Sequence, residues 1–442
     1  MQVEVAAPSS ARAVYAQRST NTLQRVFRDH FNRFAGEYDQ RYAKELGNSR
    51  IERISQVASR FIACGDYRQG VARIRCSNPD CHFEYFRPFS CRGFHLCPSC
   101  SQKRALLFAE YLDEQLLLAL PHRQFVFTLP KALRVFLRYD QRLFGQISRL
   151  IFSLVTEFYS TASGRPITGA AVVAFQPFGD ALRWNPHYHA LILEGGFDPE
   201  GRFIRVPIHD TARLTQLLRQ RTIGLFLELG LITEQFAETL LRWKHSGFSV
   251  DYSVLLEGGD HRARQALAQY AARAPLSLQK LTYDDAGAKV LYHTAYNPYL
   301  KQNTTLWDAV DFIAALTQFI PPWGVRYVHY FGLYASRCKA RWDQWPHVAA
   351  VAPNGWKESH GEQASAEAVP NQTQTVPQRA CRSAWAKLII KVYEVDPLVC
   401  CRCGSAMTVI AVITDPPEVR KILRHLVKIG RAPPGLDPSL LN

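Results

Sequence analysis

Apolar residues recur at helical spacing early in the chain, at Val26, Phe27, Phe31 and Phe34 and again at Ile51, Ile54, Val57 and Phe61, which predicts two helices within residues 20–61. An amphipathic stretch over residues 103–120 predicts a third. The period then changes. Residues 124–129 form a short apolar run stopped by Pro130, and residues 139–160 return to helical spacing. Residues 170–178 turn through Gly179-Asp180 into another extended segment, which predicts a hairpin. Further helices are predicted at 210–229 and 262–272. Residues 350–378 are rich in Ala, Gln, Ser, Glu, Pro and Asn with little aliphatic content, the composition of a flexible linker, and compact patterning resumes at Trp385. The mixture predicts an α+β chain divided into residues 1–105, residues 106–345, a linker over 346–380 and a C-terminal module over 381–442.

The second arm of the predicted hairpin carries the most specific chemistry. It reads Trp184-Asn185-Pro186-His187-Tyr188-His189-Ala190-Leu191-Ile192-Leu193. Alternate residues of a strand share a face, so His187 and His189 stand side by side while Tyr188 points away. Two imidazoles so placed form half of a metal site, and the apolar run after them suits a buried strand that would hold them rigidly. Two histidines also fall on one strand by chance, so the remaining features decide between the readings.

Charge narrows the partner. Lys and Arg total 53 against 38 Asp and Glu, a formal net charge of +15 in 442 residues with a sequence pI near 9.4. That balance suits a polyanion, nucleic acid first. The length is ample for roughly two to four domains with cores of their own. No apolar run approaches the roughly 20 residues of a membrane span, and the first residues lack the apolar segment of a secretory signal. A cytosolic location follows as the expectation, and there clustered cysteines indicate metal rather than disulfides.

Six cysteines, Cys64, Cys76, Cys81, Cys91, Cys97 and Cys100, fall within 37 residues. Cys97-Pro98-Ser99-Cys100 has the spacing of a zinc half-site, and Cys76 with Cys81 forms a looser pair. One structural Zn²⁺ held by Cys76, Cys81, Cys97 and Cys100 is the expectation, with Cys64 and Cys91 able to replace members of that set. Cys400 and Cys403 form another pair without a second pair nearby; Cys338 and Cys381 could complete it, or the thiols could mark a mere turn. Among 19 tyrosines, Tyr270 stands out as the single aromatic of a basic helical segment, with Arg264 and Arg273 placed to hold a DNA strand. An aromatic packing its helix onto a sheet would look the same.

Taken in order, Phe125-Val126-Phe127-Thr128-Leu129-Pro130, the segment Val172 to Phe178 with Gln176, Asn185-Pro186-His187-Tyr188-His189 and Tyr270-Ala271-Ala272-Arg273-Ala274-Pro275-Leu276 resemble the HUH single-strand endonucleases. More narrowly, the chain resembles the bacterial rolling-circle insertion-sequence transposases with an N-terminal zinc-binding domain. The resemblance implies a ferredoxin-like core with an antiparallel sheet, and a Mg²⁺ or Mn²⁺ held by His187 and His189 with Gln176 as the third ligand, His329 and Glu194 being alternatives. It implies attack by Tyr270 to leave a 5′-phosphotyrosine, and single-stranded DNA at element ends and target DNA as partners. The expected protein is cytoplasmic and nucleoid-associated, makes no membrane contact and can form a homodimer. Two-tyrosine members carry their tyrosines four residues apart, whereas Ala266 occupies that position here. One tyrosine acting twice, two protomers, or help from Tyr292 or Tyr296 would each answer the difference. A replication initiator or mobilisation relaxase of the same chemistry, and a non-catalytic zinc-stabilised DNA-binding protein, are the competing expectations.

Overall fold

The computed structural model describes residues 21–93, 96–262, 264–265, 268, 274–297, 301–365 and 399–441. The chain forms two compact units, one from residues 1–31, 55–103 and 370–442, the other from residues 32–54 and 104–369.

The first unit is built on a three-stranded antiparallel sheet with Val71–Cys76 in the middle, Glu84–Pro88 on one side and Met407–Ile413 on the other. The partner strand from the far end of the sequence pairs from Val71 opposite Ile413 to Cys76 opposite Met407, with a register shift between Arg73 and Ile74. Behind it, helix Pro416–Lys428 starts on Asp415, whose carboxylate accepts from the Glu418 N–H, with prolines in the first turn where no N–H is needed. The helix buries Val419, Leu423 and Leu426 against Tyr67, Val71 and Phe86. The C-terminal segment, expected as a module of its own, therefore completes the sheet and core of the N-terminal cysteine region. Phe27 meets Phe61 edge-on at 5.4 Å, and the Gln24 amide donates to the carbonyls of Phe61 and Cys64, which ties the first helix to the loop carrying the first cysteine.

The second unit holds a five-stranded sheet in the order Val328–Gly332, Ala170–Phe178, Trp184–Leu193, His122–Thr128, Ser249–Leu256, each neighbouring pair antiparallel. Four of its strands alternate along the chain with helices Arg142–Ser163 and Ala212–Glu228 in the order strand, helix, strand, strand, helix, strand. Both helices pack on one face, where Leu143, Phe144, Ile151, Leu214, Leu218 and Phe226 meet Phe125, Phe127, Val173, Phe175 and Tyr188. That is the ferredoxin-like split arrangement, in which an antiparallel sheet keeps its second face for other uses. On that second face Ala170, Val172, Leu191 and Leu193 pack with Ala109, Leu112, Leu116, Ala268, Trp342 and Trp356. The predicted strand and helix boundaries of this region agree with the structure to within a few residues. The hairpin turn is longer than the two residues expected: it closes with the Gly179 N–H on the Arg183 carbonyl and holds Ala181 and Leu182 at φ of 53° and 56°.

One stretch expected to be linker is ordered. Residues Asn354–Ser365 form a helix, and Trp356 is buried beside Trp342 with ring centres 5.5 Å apart. The buried indole anchors the helix, and the Lys357 ammonium adds a bond to the Ala350 carbonyl at 2.8 Å. The remainder of the expected linker, from residue 366, lies outside the described residues. Among the described residues no helix is long and apolar enough to cross a membrane.

Candidate functional site

The histidine strand is the central strand of the five, hydrogen-bonded on both sides, so its side chains have little freedom to shift. Pleating sends Tyr188, Ala190 and Ile192 into the helix-covered core and turns His187 and His189 to the second face. Their ring centres are 4.9 Å apart. Gln176 lies on the neighbouring strand opposite His187, and its Oε1 sits 3.1 Å from His189 Nε2. Pro177 follows at once, at the register shift where the ladder loosens, as expected for a residue with no N–H to give. The pair Gln176 and His189 is nearly fully buried, at 2% and 4% exposure.

These residues fit a hard divalent cation. Cis ligands of an octahedral ion with bonds of about 2.1 Å lie roughly 3 Å apart, close to the separation of Gln176 Oε1 and His189 Nε2. His187 Nδ1 is 2.8 Å from the carbonyl oxygen of Asn185, to which it donates, so Nε2 keeps its lone pair for a ligand. His189 Nδ1 is 3.1 Å from the Gln124 side-chain amide. Rotating that amide by half a turn presents its oxygen to an Nδ1 proton, and the imidazole then offers Nε2. Gln124 was not singled out in the sequence, although the alternation in Gln124-Phe125-Val126-Phe127-Thr128 puts it on the histidine face once the strand is paired. The other two candidates are excluded as ligands by the pleat. His329 is paired with Val173 and lies against Gly145 and Phe331 on the helix-covered face. Glu194 is fully buried in ion pairs with Arg123 and Arg205.

The cleft beside His189 and Gln124 is lined by Phe108, Leu112, Val172, Ala174, Leu191 and Ala268. Ala268 comes from the basic helical segment, whose placement rests on one acid. Asp113 accepts from His261 and Gln265, four residues apart and so on one helix face, at 2.8 and 2.9 Å. Arg264 adds bonds to the carbonyls of Leu118 and Leu120 at 2.8 and 3.1 Å. Arg264 was expected to grip DNA, but it is 2% exposed, and its guanidinium fastens the segment to the loop that leads into the strand His122–Thr128. Tyr270 and Arg273 lie outside the described residues. Tyr292 is buried, and Tyr296 is exposed on the strand Lys289–Asn297.

The same clamp buries a titratable group. His122 is inaccessible, with Nδ1 2.8 Å from the Leu120 carbonyl and Nε2 on the Tyr334 hydroxyl. Burial first, then the Arg264 charge, pulls it from 6.5 down to about 3. Because the folded value is depressed, the unfolded chain takes up the proton first; the stability is complete above about pH 6.5 and is lost as pH falls toward 3. Between pH 7 and pH 5 this costs about 2 kcal/mol. Unfolding free energies from urea titrations at those two pH values are expected to differ by that much more in the wild type than in His122→Asn; equal differences would remove His122 as the cause.

The cysteines do not form the single set expected. Cys97 and Cys100 join Cys64 and Cys91, while Cys76 and Cys81 lie beside Cys400 and Cys403. The reason is the hairpin. Cys76 and Cys81 are at the tip joining Val71–Cys76 to Glu84–Pro88, whereas Cys64 and Cys91 flank its base, where Gly65 N–H bonds the Phe89 carbonyl. A six-residue strand spans roughly 16–20 Å, far beyond what one ion with bonds of about 2.3 Å can bridge. At the base, sulfur separations are 3.7 Å for Cys64 and Cys97, 3.8 Å for Cys64 and Cys100 and 3.6 Å for Cys91 and Cys100. The edge of a tetrahedral zinc tetrathiolate is roughly 3.8 Å. The Cys91 and Gly93 N–H groups donate to Cys64 and Cys91 sulfur at 3.2 Å each, and hydrogen bonds led by that from Cys64 hold the Cys100 thiol far below its ordinary range.

Known proteins match both halves of this arrangement. The family described as "Transposase zinc-binding domain" matches residues 30–129, and the family described as "Putative transposase" matches residues 170–341. The two matches, with the relatives that follow, support an IS91-type insertion-sequence transposase. The chain is 25% identical over 303 residues to the "Transposase for insertion sequence element IS801" of Pseudomonas savastanoi pv. phaseolicola, covering 64% of this chain and 70% of that one. It is 23% identical over 273 residues to "Putative transposase y4qJ" of Sinorhizobium fredii (strain NBRC 101917 / NGR234), covering 56% of this chain and 66% of the relative. No solved structure matches the chain. The cysteine set at the base of the hairpin, inside the matched zinc-binding domain, is a structural Zn²⁺ site.

Proposed function

We propose that this transposase cuts and rejoins single-stranded DNA at the ends of a mobile element, with Tyr270 as nucleophile and His187, His189 and Gln176 as ligands of Mg²⁺ or Mn²⁺. The observation that carries the reading is the placement of His189 between Gln176 and Gln124 on the central strands, beside a cleft that His189 and Gln124 line together with Ala268, two residues before Tyr270. When bound, the cation supplies Lewis-acid polarisation of the scissile phosphate. The protein's own groups do the rest. The Asn185 carbonyl fixes His187 in its ligand tautomer, Gln124 does the same for His189 once its amide oxygen faces Nδ1, and Asp113 holds His261 and Gln265 of the nucleophile's segment. The Tyr270 oxygen gives up its proton and bonds to phosphorus as the bond to the 3′ oxygen breaks; that oxygen leaves as a hydroxyl, and the downstream strand stays on the enzyme by its 5′ phosphate. Attack by another 3′-hydroxyl reverses the step, so strand transfer needs no nucleotide hydrolysis.

The test is a denaturing gel of the purified protein with end-labelled single strands from the flanking element, with Mn²⁺ or EDTA. A metal-dependent adduct on the 5′ end of the downstream fragment is expected for the wild type and none for Tyr270→Phe. An adduct that survives the substitution moves the nucleophile elsewhere. DNA binding without any adduct supports the binding-protein reading.

A further inference from the structure

The second set of four cysteines brings together parts of the chain more than 300 residues apart. Cys76 and Cys81 bracket the hairpin tip, where Cys76 N–H bonds the Phe83 carbonyl and Cys81 N–H the Asn78 carbonyl. Cys400 and Cys403 sit on a second tight turn: Cys400 N–H bonds the Ser405 carbonyl, Gly404 N–H bonds the Cys400 carbonyl, and Val399 bridges Ala406. Gly404 takes φ of 78°, a left-handed conformation that glycine adopts without a Cβ clash. The two turns are joined by the Ser77 N–H on the Ala406 carbonyl and by the pairing of Cys76 with Met407. All four sulfurs lie within 4.8 Å of one another, with Cys76 and Cys403 at 3.4 Å and Cys81 and Cys400 at 3.6 Å.

Four sulfurs converge here from two separate turns, with Cys400 fully buried and Cys76 nearly so. As thiolates they would repel one another unless a cation lay between them. Tetrahedral sulfur ligation selects zinc among the common divalent ions. Cys401 lies between two of these residues in sequence and belongs to neither cysteine group.

We infer that Cys76, Cys81, Cys400 and Cys403 form a second structural zinc site, which staples the C-terminal segment onto the N-terminal hairpin. The matched zinc-binding domain ends at residue 129 and so contains only half of this site. The ion closes the sheet at the end where Met407–Ile413 joins Val71–Cys76 and fixes the register of a strand pair that must find each other late in synthesis.

Elemental analysis of the full-length protein, purified without chelator, is expected to give two zinc per chain. Cys403→Ser, at an exposed position that leaves no hole in the core, is expected to give one with an unchanged far-ultraviolet circular dichroism spectrum. Cys401→Ser is expected to keep two. One zinc in the wild type, or two in Cys403→Ser, would overturn the site. Wild-type protein alone supplies an independent check through timed iodoacetamide labelling read by mass spectrometry. Cys400 and Cys403 should be protected until a chelator is added and then react together with Cys76 and Cys81. Labelling of Cys400 and Cys403 in zinc-loaded protein as fast as Cys401, or labelling only after a disulfide reductant, would overturn the proposal.

Discussion

Alanine at His189 is expected to lower Mn²⁺-dependent cleavage of element-end DNA by about a thousandfold or more. The estimate follows from the several kcal/mol that a bound cation contributes by neutralising developing charge, at roughly 1.4 kcal/mol for each factor of ten. His187→Ala is expected to match it, because each imidazole supplies one ligand and the strand offers no neighbour on that face to take its place. Gln124 provides the discriminating comparison. It touches His189 at 3.1 Å and would not touch the ion, so Gln124→Ala should cost about 10–100-fold and be partly recovered at higher Mn²⁺. Single-turnover cleavage across a Mn²⁺ titration reads both effects. Cleavage by His189→Ala equal to wild type would show that the histidine face is not the metal centre; equal losses for His189→Ala and Gln124→Ala would show only that the strand's packing had been damaged.

What could be read from the sequence divides along the length scale of the interaction. The hairpin carrying Gln176, His187 and His189 was legible because strand pleating and an adjacent turn are local, and a shift of one residue would exchange the histidines with Tyr188 and Ala190. The exclusion of His329 and Glu194 needed the pairing partners of their strands, which no local pattern contains. Arg264 misled for a related reason. A basic helical segment has the same composition whether a given arginine faces water or, as Arg264 does, binds the carbonyls of a neighbouring loop. The cysteines were the hardest case: spacing identifies half-sites, but which halves meet depends on hairpin length at one end and on a strand from beyond residue 400 at the other. Trp356 was a signal passed over, since an indole within a polar segment indicates a surface to cover.

Removing zinc from the site at the hairpin base is expected to unfold the unit that carries it. Structural zinc bound by thiolates contributes an apparent 10–16 kcal/mol or so at neutral pH, against a total stability of about 5–15 kcal/mol for a domain. The Cys64, Cys91, Cys97 and Cys100 sulfurs join the turn after helix Ile51–Ile62, the segment after strand Glu84–Pro88 and the start of helix Pro98–Tyr111. Cys97→Ser should therefore yield protein cut rapidly within residues 89–97 by a nonspecific protease, while zinc-loaded wild type resists. Chelation of the wild type should open the same site, and added Zn²⁺ should close it. Acid should act in the same direction, because each ligand must lose a proton to bind and regains it as pH falls. A loop that stays protected after complete zinc removal would mean that the apolar contacts of Phe27, Phe61 and Leu96 hold the unit without the ion, leaving the four cysteines a role in something other than its stability.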